Sequence, residues 1–227
     1  MQTKGKKLSV NKMAEYLDAR PARRASIVKQ QQSGKGYPAQ YYSLAQAAMK
    51  KILVSTDPQS QFAEERDRIL NHSGWGKHPK QLIKNNISAL KGMWNAVCVR
   101  DLISSQITYR KPLAQIKPRS FGDVALTNRF DVESVAGCRK QKYGGIKFYF
   151  NKNHPLSAFS GAVLGSLLHE AAIESHGIKA VSKSDIVVID AFQSTIFRAP
   201  SHMKQHVAEA AAAAHEFSVQ WDYIARS

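Results

Sequence analysis

Three side chains in the middle of the chain are spaced for shared chemistry. Asp131 and Glu133 stand two apart in the run FGDVALTNRFDVESV. Lys147 lies in the run IKFYFNK, beyond a basic connection AGCRKQKYGG. Both runs alternate as strands do, so Arg129, Asp131 and Glu133 fall on one face while Phe130 and Val132 fall on the other. In the second run Ile146, Phe148 and Phe150 form an apolar row, opposed by Lys147, Tyr149 and Asn151. Paired as a hairpin, the stretch 122–152 sets two acids and a lysine on one polar face with a core behind them. The plain account of such a face is a set of cross-strand charge pairs contributing ~0.2–1 kcal/mol each.

Other residues compete for a chemical role and carry less. His202 and His206 are four apart on an expected helix, a spacing that can serve one metal, but no HExxH glutamate accompanies them. His169, Glu170 and Glu174 lie within two turns of another expected helix, with Glu170 and Glu174 on one face. The chain has no GxxxxGK[ST] loop, no GxSxG elbow and no zinc-deaminase signature, so P-loop hydrolysis, serine hydrolysis and deamination have no support. Its two cysteines, Cys98 and Cys138, sit far apart, give neither a disulfide framework nor a zinc module, and fit a reducing cytoplasm with free thiols.

The order helix, acid-bearing strand, lysine-bearing strand, helix, strand over residues 122–192 resembles the core of the PD-(D/E)xK nucleases. The resemblance implies a divalent-metal-dependent phosphodiesterase, with Asp131 or Glu133 as the first acid and Lys147 as the lysine. Gly145 stands where the family carries its second acid, and members that lack it draw a carboxylate from the following helix, here Glu170. The implied catalytic residues are therefore Asp131, Glu133 and Lys147, and the implied ligands of Mg²⁺ or Mn²⁺ are Asp131, Glu133 and Glu170. Such an ion takes oxygen ligands and activates water, while the lysine holds that water. Outside this reading no cofactor is expected.

Charge gives a second line to function. Residues 1–120 hold 22 basic and 7 acidic residues, a net of +15, whereas residues 121–227 hold 11 and 10, a net of +1. Such segregation predicts that the first half faces a polyanion, DNA or RNA. Candidate contacts are Arg20, Arg23, Arg24 and Lys29; Trp75 and Lys77 in the loop HSGWGKHP, where the indole can stack on a base; Lys80 and Lys84; and Arg139, Lys140 and Lys142 in the hairpin connection. Arg20, Arg23 and Arg24 crowd a helix start, where the dipole disfavours cations and phosphates would favour them. The alternative is a structural or adaptor subunit of a nucleoprotein complex, whose alanine-rich last helix packs on a protein partner or a second copy. No apolar run reaches the ~20 residues a membrane span needs, and MQTKGKKLSV has no apolar signal region, so a cytoplasmic protein without membrane contact is expected.

The elements that must position these residues follow from periodicity. Ser9 caps an expected helix VNKMAEYLDA, and Pro21 opens a second. SGKGYP breaks the chain, and helices over 41–53 and near 61–72 follow. Pro79 starts a long helix with Leu82, Ile83, Ile87, Leu90, Trp94 and Val97 on its apolar face and Lys80, Lys84 and Lys91 off it. KPLAQIKPR cannot continue a helix through its prolines and marks a boundary. After the hairpin come a helix ended by Gly177, an apolar strand DIVVIDAF, a strand QSTIFRAP and a final helix. The expected class is α+β, with α/β as its variant: a basic helical N-terminal part, then a small mixed sheet in β-β-α-β-β-α order covered by helices. The expected divisions are a basic helical arm at 1–37, a helical basic region at 38–117 and an α/β module at 118–227, the last two allowed to be continuous.

Overall fold

The computed structural model describes residues 5–34, 41–73, 78–99, 102–103, 107–112, 118–137 and 141–226. Within them the order is β1 (Lys7–Ser9), α1 (Val10–Asp18), α2 (Pro21–Ser33), α3 (Ser43–Val54), α4 (Pro58–Leu70), α5 (Pro79–Val99), β2 (Ile107–Arg110), β3 (Arg119–Phe121), β4 (Val124–Thr127), β5 (Val132–Ala136), β6 (Lys142–Tyr149), α6 (Ala158–His176), β7 (Val181–Asp190), β8 (Thr195–Arg198) and α7 (Met203–Arg226). The fold is α+β. A five-stranded sheet runs β2-β5-β6-β7-β8, and a three-stranded one runs β1-β4-β3. Only β6 and β7 pair in parallel in the larger sheet, joined by the crossover helix α6; its other pairings are antiparallel.

Two cores sit on the two faces of the larger sheet. On one face, Ala45, Met49 and Ile52 of α3 and Leu90, Met93 and Val97 of α5 pack with Ile146, Phe148, Val187 and Ile189. On the other, Leu164 and Leu168 of α6 and Phe217 of α7 pack with Val188, Ile186 and Tyr149. Alternation along each strand explains the division, because Ile146 and Phe148 point one way and Lys147 and Tyr149 the other.

The N-terminal segment departs from the expected arm. Leu8, Val10, Met13, Tyr16, Ile27 and Val28 are buried in the same cluster as α6 and α7, and β1 adds to β4 in parallel. Ser9 does cap α1, accepting from the Lys12 N–H at 3.2 Å. The expected boundary does not divide the hydrophobic packing either, since residues 45–102 and 132–191 share one core.

The expected first strand of the hairpin is broken in two. Leu126 in β4 and Val132 in β5 belong to different sheets, and the bend between them carries Asn128, whose amide donates to the Leu167 carbonyl. Arg129 lies in that bend, exposed, and does not continue the Asp131–Glu133 face. α6 begins at Ala158, where its N-cap Ser157 and Ser160 form a reciprocal capping box. Gly177 ends it at φ 82°, a conformation that excludes most side chains. α5 is described over Pro79–Val99, and Leu102 and Ile103 beyond it are not helical.

Candidate functional site

Past the pairing of Val132 with Ile146, the Asp131 N–H still donates to the Ile146 carbonyl at 2.8 Å, but β5 itself extends no further. The N–H and C=O of Phe148 face that gap. Asp131 Oδ2 accepts from the Phe148 N–H at 2.9 Å, and the Asn11 amide of α1 donates to the Phe148 carbonyl at 3.0 Å. Two side chains thus replace a missing strand residue, as buried backbone groups require.

The same carboxylate collects three more donors. Lys147 Nζ lies 3.2 Å from Asp131 Oδ2. Gln46 Nε2 donates to Oδ1 at 2.7 Å, and Lys50 Nζ is 3.4 Å from that oxygen. Asp131 is 4% exposed and Lys147 9%, while the Lys50 side chain keeps 37% of its surface. The two amines share one carboxylate, and Asp190 stands buried opposite Tyr149 at the same end of the sheet.

Glu133 is buried in a different group. Its Oε2 lies 3.2 Å from Arg110 Nε, the residue directly opposite on β2, and its Oε1 is 4.0 Å from His176 Nε2. Tyr143 stacks on His176 at 4.2 Å with rings 2° from parallel, and the Arg110 guanidinium lies over Tyr143. Glu170 pairs with Arg119 of β3. His169 is buried on α6, and burial, reinforced by Lys183, pushes its pKa down.

Asp131 and Lys147 therefore meet just past the end of β5, while Glu133 and Glu170 each answer a separate arginine. These residues do not fit a divalent ion. Both oxygens of Asp131 are taken by amines, an amide and a backbone N–H, and among the described residues no three His, Cys, Asp or Glu side chains group to hold a metal. Gly145 explains part of this. A Cβ there would lie 2.5 Å from the Phe130 ring and 2.8 Å from the Val132 carbonyl, so the position of the family's second acid is closed to any side chain. The expected open polar face is a buried one.

The expected nucleic-acid contacts separate into several places. Arg23 binds Glu15, and Arg24 binds Glu216 at 2.6 Å and the Tyr16, Ala19 and Leu17 carbonyls. These two arginines hold the fold together. Arg20 and Lys29 are exposed on α2, which packs on α7, on the far side of the large sheet from α5. Lys142 donates to the Lys179 carbonyl at 2.7 Å. Trp75, Lys77, Arg139 and Lys140 lie outside the described residues. On α5, Lys80, Lys84, Ser88, Lys91 and Asn95 form one exposed stripe. Among the described residues none of its three lysines has an acidic partner, whereas the cations of α3 and α4 are paired: Lys51 and Arg68 with Glu65, and Arg66 with Asp67.

Sequence reasoning missed Asn11, Gln46 and Lys50. Gln46 and Lys50 stand four apart on α3, so a shared helix face was legible, but nothing local points that face at residue 131. Comparison with protein-family models, with characterised proteins and with solved structures gives no match for this chain. Among the described residues no helix is long and apolar enough to cross a membrane.

Proposed function

We propose that the protein binds nucleic acid, DNA or RNA, through its phosphate backbone, with the exposed stripe of α5 as the principal contact. The observation that carries this reading is that the 21-residue helix α5 contains no acidic residue and that, among the described residues, Lys80, Lys84 and Lys91 have no acidic partner. Their rise along the axis covers about 16 Å, enough to follow several phosphates. The net +15 of residues 1–120 supports it, since a field of one sign draws a polyanion from a distance. The reading carries no cleavage step, because the Asp131 oxygens are already engaged.

The test is a fluorescence-anisotropy titration of labelled single-stranded DNA, duplex DNA and RNA over a series of salt concentrations. Binding to at least one of them at low salt is expected, with log K falling linearly as log salt rises. Failure to bind any of the three at low salt would contradict the proposal, as would affinity indifferent to salt.

A further inference from the structure

A cavity of about 160 Å³ opens on the α5 face of the sheet, toward the end away from Asp131. The Tyr109 ring, Ile146 and Val187 wall it, Ser134 lies inside it, and Asp185 and Arg198 line it as well. The Tyr109 hydroxyl is committed to the Leu102 carbonyl at 2.6 Å, so its ring serves as an apolar wall. Ser134 is 4% exposed, and among the described residues its hydroxyl has no hydrogen-bond partner, a costly state for a buried polar group. Asp185 and Arg198 carry opposite charge around one cavity, yet no ion pair joins them among the described residues; Arg198 instead donates to the Ser184 carbonyl, and Asp185 Oδ1 accepts from the Ser184 hydroxyl at 3.1 Å, which leaves Oδ2 without a partner among the described residues.

The backbone is shaped to place Asp185 there. Pairing of β6 with β7 jumps from Tyr143–Val181 to Gly145–Ile186, an irregularity that throws residues 182–185 out of the ladder. Gly144 permits it, since a Cβ at that position would meet the Asp185 backbone oxygen at 2.3 Å and the Asp185 Cβ at 2.5 Å. Bulges of this kind re-aim side chains next to functional sites.

We infer that this cavity receives one unstacked nucleobase with the edge of guanine, an inference that rests on the nucleic-acid reading above. Ligand clefts for drug-sized molecules begin at about 300 Å³; this one holds a single flat ring system between apolar walls. Proteins read a splayed base by its Watson–Crick edge. Guanine alone presents an acceptor followed by two adjacent donors along that edge. A guanidinium beside a carboxylate is the complement, with Arg198 donating to the base oxygen and Asp185 accepting both N–H groups. Adenine, cytosine and uracil would each turn at least one lone pair toward the carboxylate. Ser134 supplies a hydroxyl to the buried side of the ring.

Guanosine, adenosine, cytidine and uridine, titrated into the full chain by ligand-observed NMR, test this directly. Nucleosides carry no phosphate, so the α5 lysines take no part. Guanosine should bind at least about tenfold more tightly than the other three. Asp185→Asn and Arg198→Ala should each weaken it by about tenfold or more, with thermal melting confirming that each variant is folded. Equal binding of all four nucleosides, binding of none, or guanosine binding that survives both substitutions overturns the inference. Those outcomes alongside normal salt-dependent polynucleotide binding would overturn the base site alone. Guanosine binding kept while polynucleotide binding is absent would overturn the backbone reading alone.

Discussion

Asp131 spends its charge on architecture. Its carboxylate closes the β6 ladder at Phe148 and neutralises Lys147 and part of Lys50, so removing it leaves a buried N–H and a buried amine without partners. Asp131→Ala should destabilise the protein by about 3–5 kcal/mol, as loss of one member of a buried pair does, and denaturant unfolding reads the difference. Gly145 makes the complementary case. Gly145→Asp restores the acid that the nuclease pattern has at this position, but the new side chain meets Phe130 and the Val132 carbonyl. A loss of about 1–3 kcal/mol from overpacking is expected, with no gain of Mg²⁺ affinity by calorimetry. Glu15 is a third residue-scale case. Burial would raise its pKa, yet hydrogen bonds from Lys12 and Arg23 outweigh burial and hold it below the ordinary 4.5. A depressed carboxyl stabilises the fold at pH above the unfolded value and loses that contribution as pH falls through the folded one. The unfolding free energies of the wild type and Glu15→Gln should therefore converge as pH drops from about 6 toward about 3; a constant gap would contradict the assignment.

At the scale of elements, α1 and α2 belong to the core because Arg24 ties three helices. It caps the exposed carbonyls at the end of α1, stands over the Tyr16 ring and reaches Glu216 on α7. Helix ends need such partners for their last carbonyls. Arg24→Ala should cost about 1.5–3 kcal/mol, the range for hydrogen bonds to a charged group, and leave polynucleotide affinity nearly unchanged. Arg20→Ala, on the exposed start of α2, should leave stability nearly unchanged. Equal stability of both variants would remove the capping role.

Across the whole molecule, what was legible in the sequence was what local pattern controls. The 3.6-residue periodicity marked the α5 face, alternation marked β6, and Ser9 and Gly177 marked helix ends. Spacing set Asp131 and Lys147 in one hairpin, but they meet beyond the end of β5. What stayed hidden depends on chain segments far apart. Asn11, Gln46 and Lys50 reach residue 131 only through tertiary packing, and Arg23 and Arg24 look like free cations until Glu15 and Glu216 are placed beside them. The strand break at Asn128–Asp131 was hidden because residues on either side alternate as one strand would.

Among the described residues of the basic half, α5 carries more cations without an acidic partner than any other element, and one measurement addresses its role most directly. Lys80, Lys84 and Lys91 are exposed, so replacing all three with alanine should leave the fold intact, alanine being the best helix former. The salt dependence of duplex DNA binding is then compared with the wild type. If each lysine neutralises one phosphate, the slope of log K against log salt should become shallower by about 2–3, with weaker binding to every sequence tried. An unchanged slope and affinity in the folded triple variant would contradict the account.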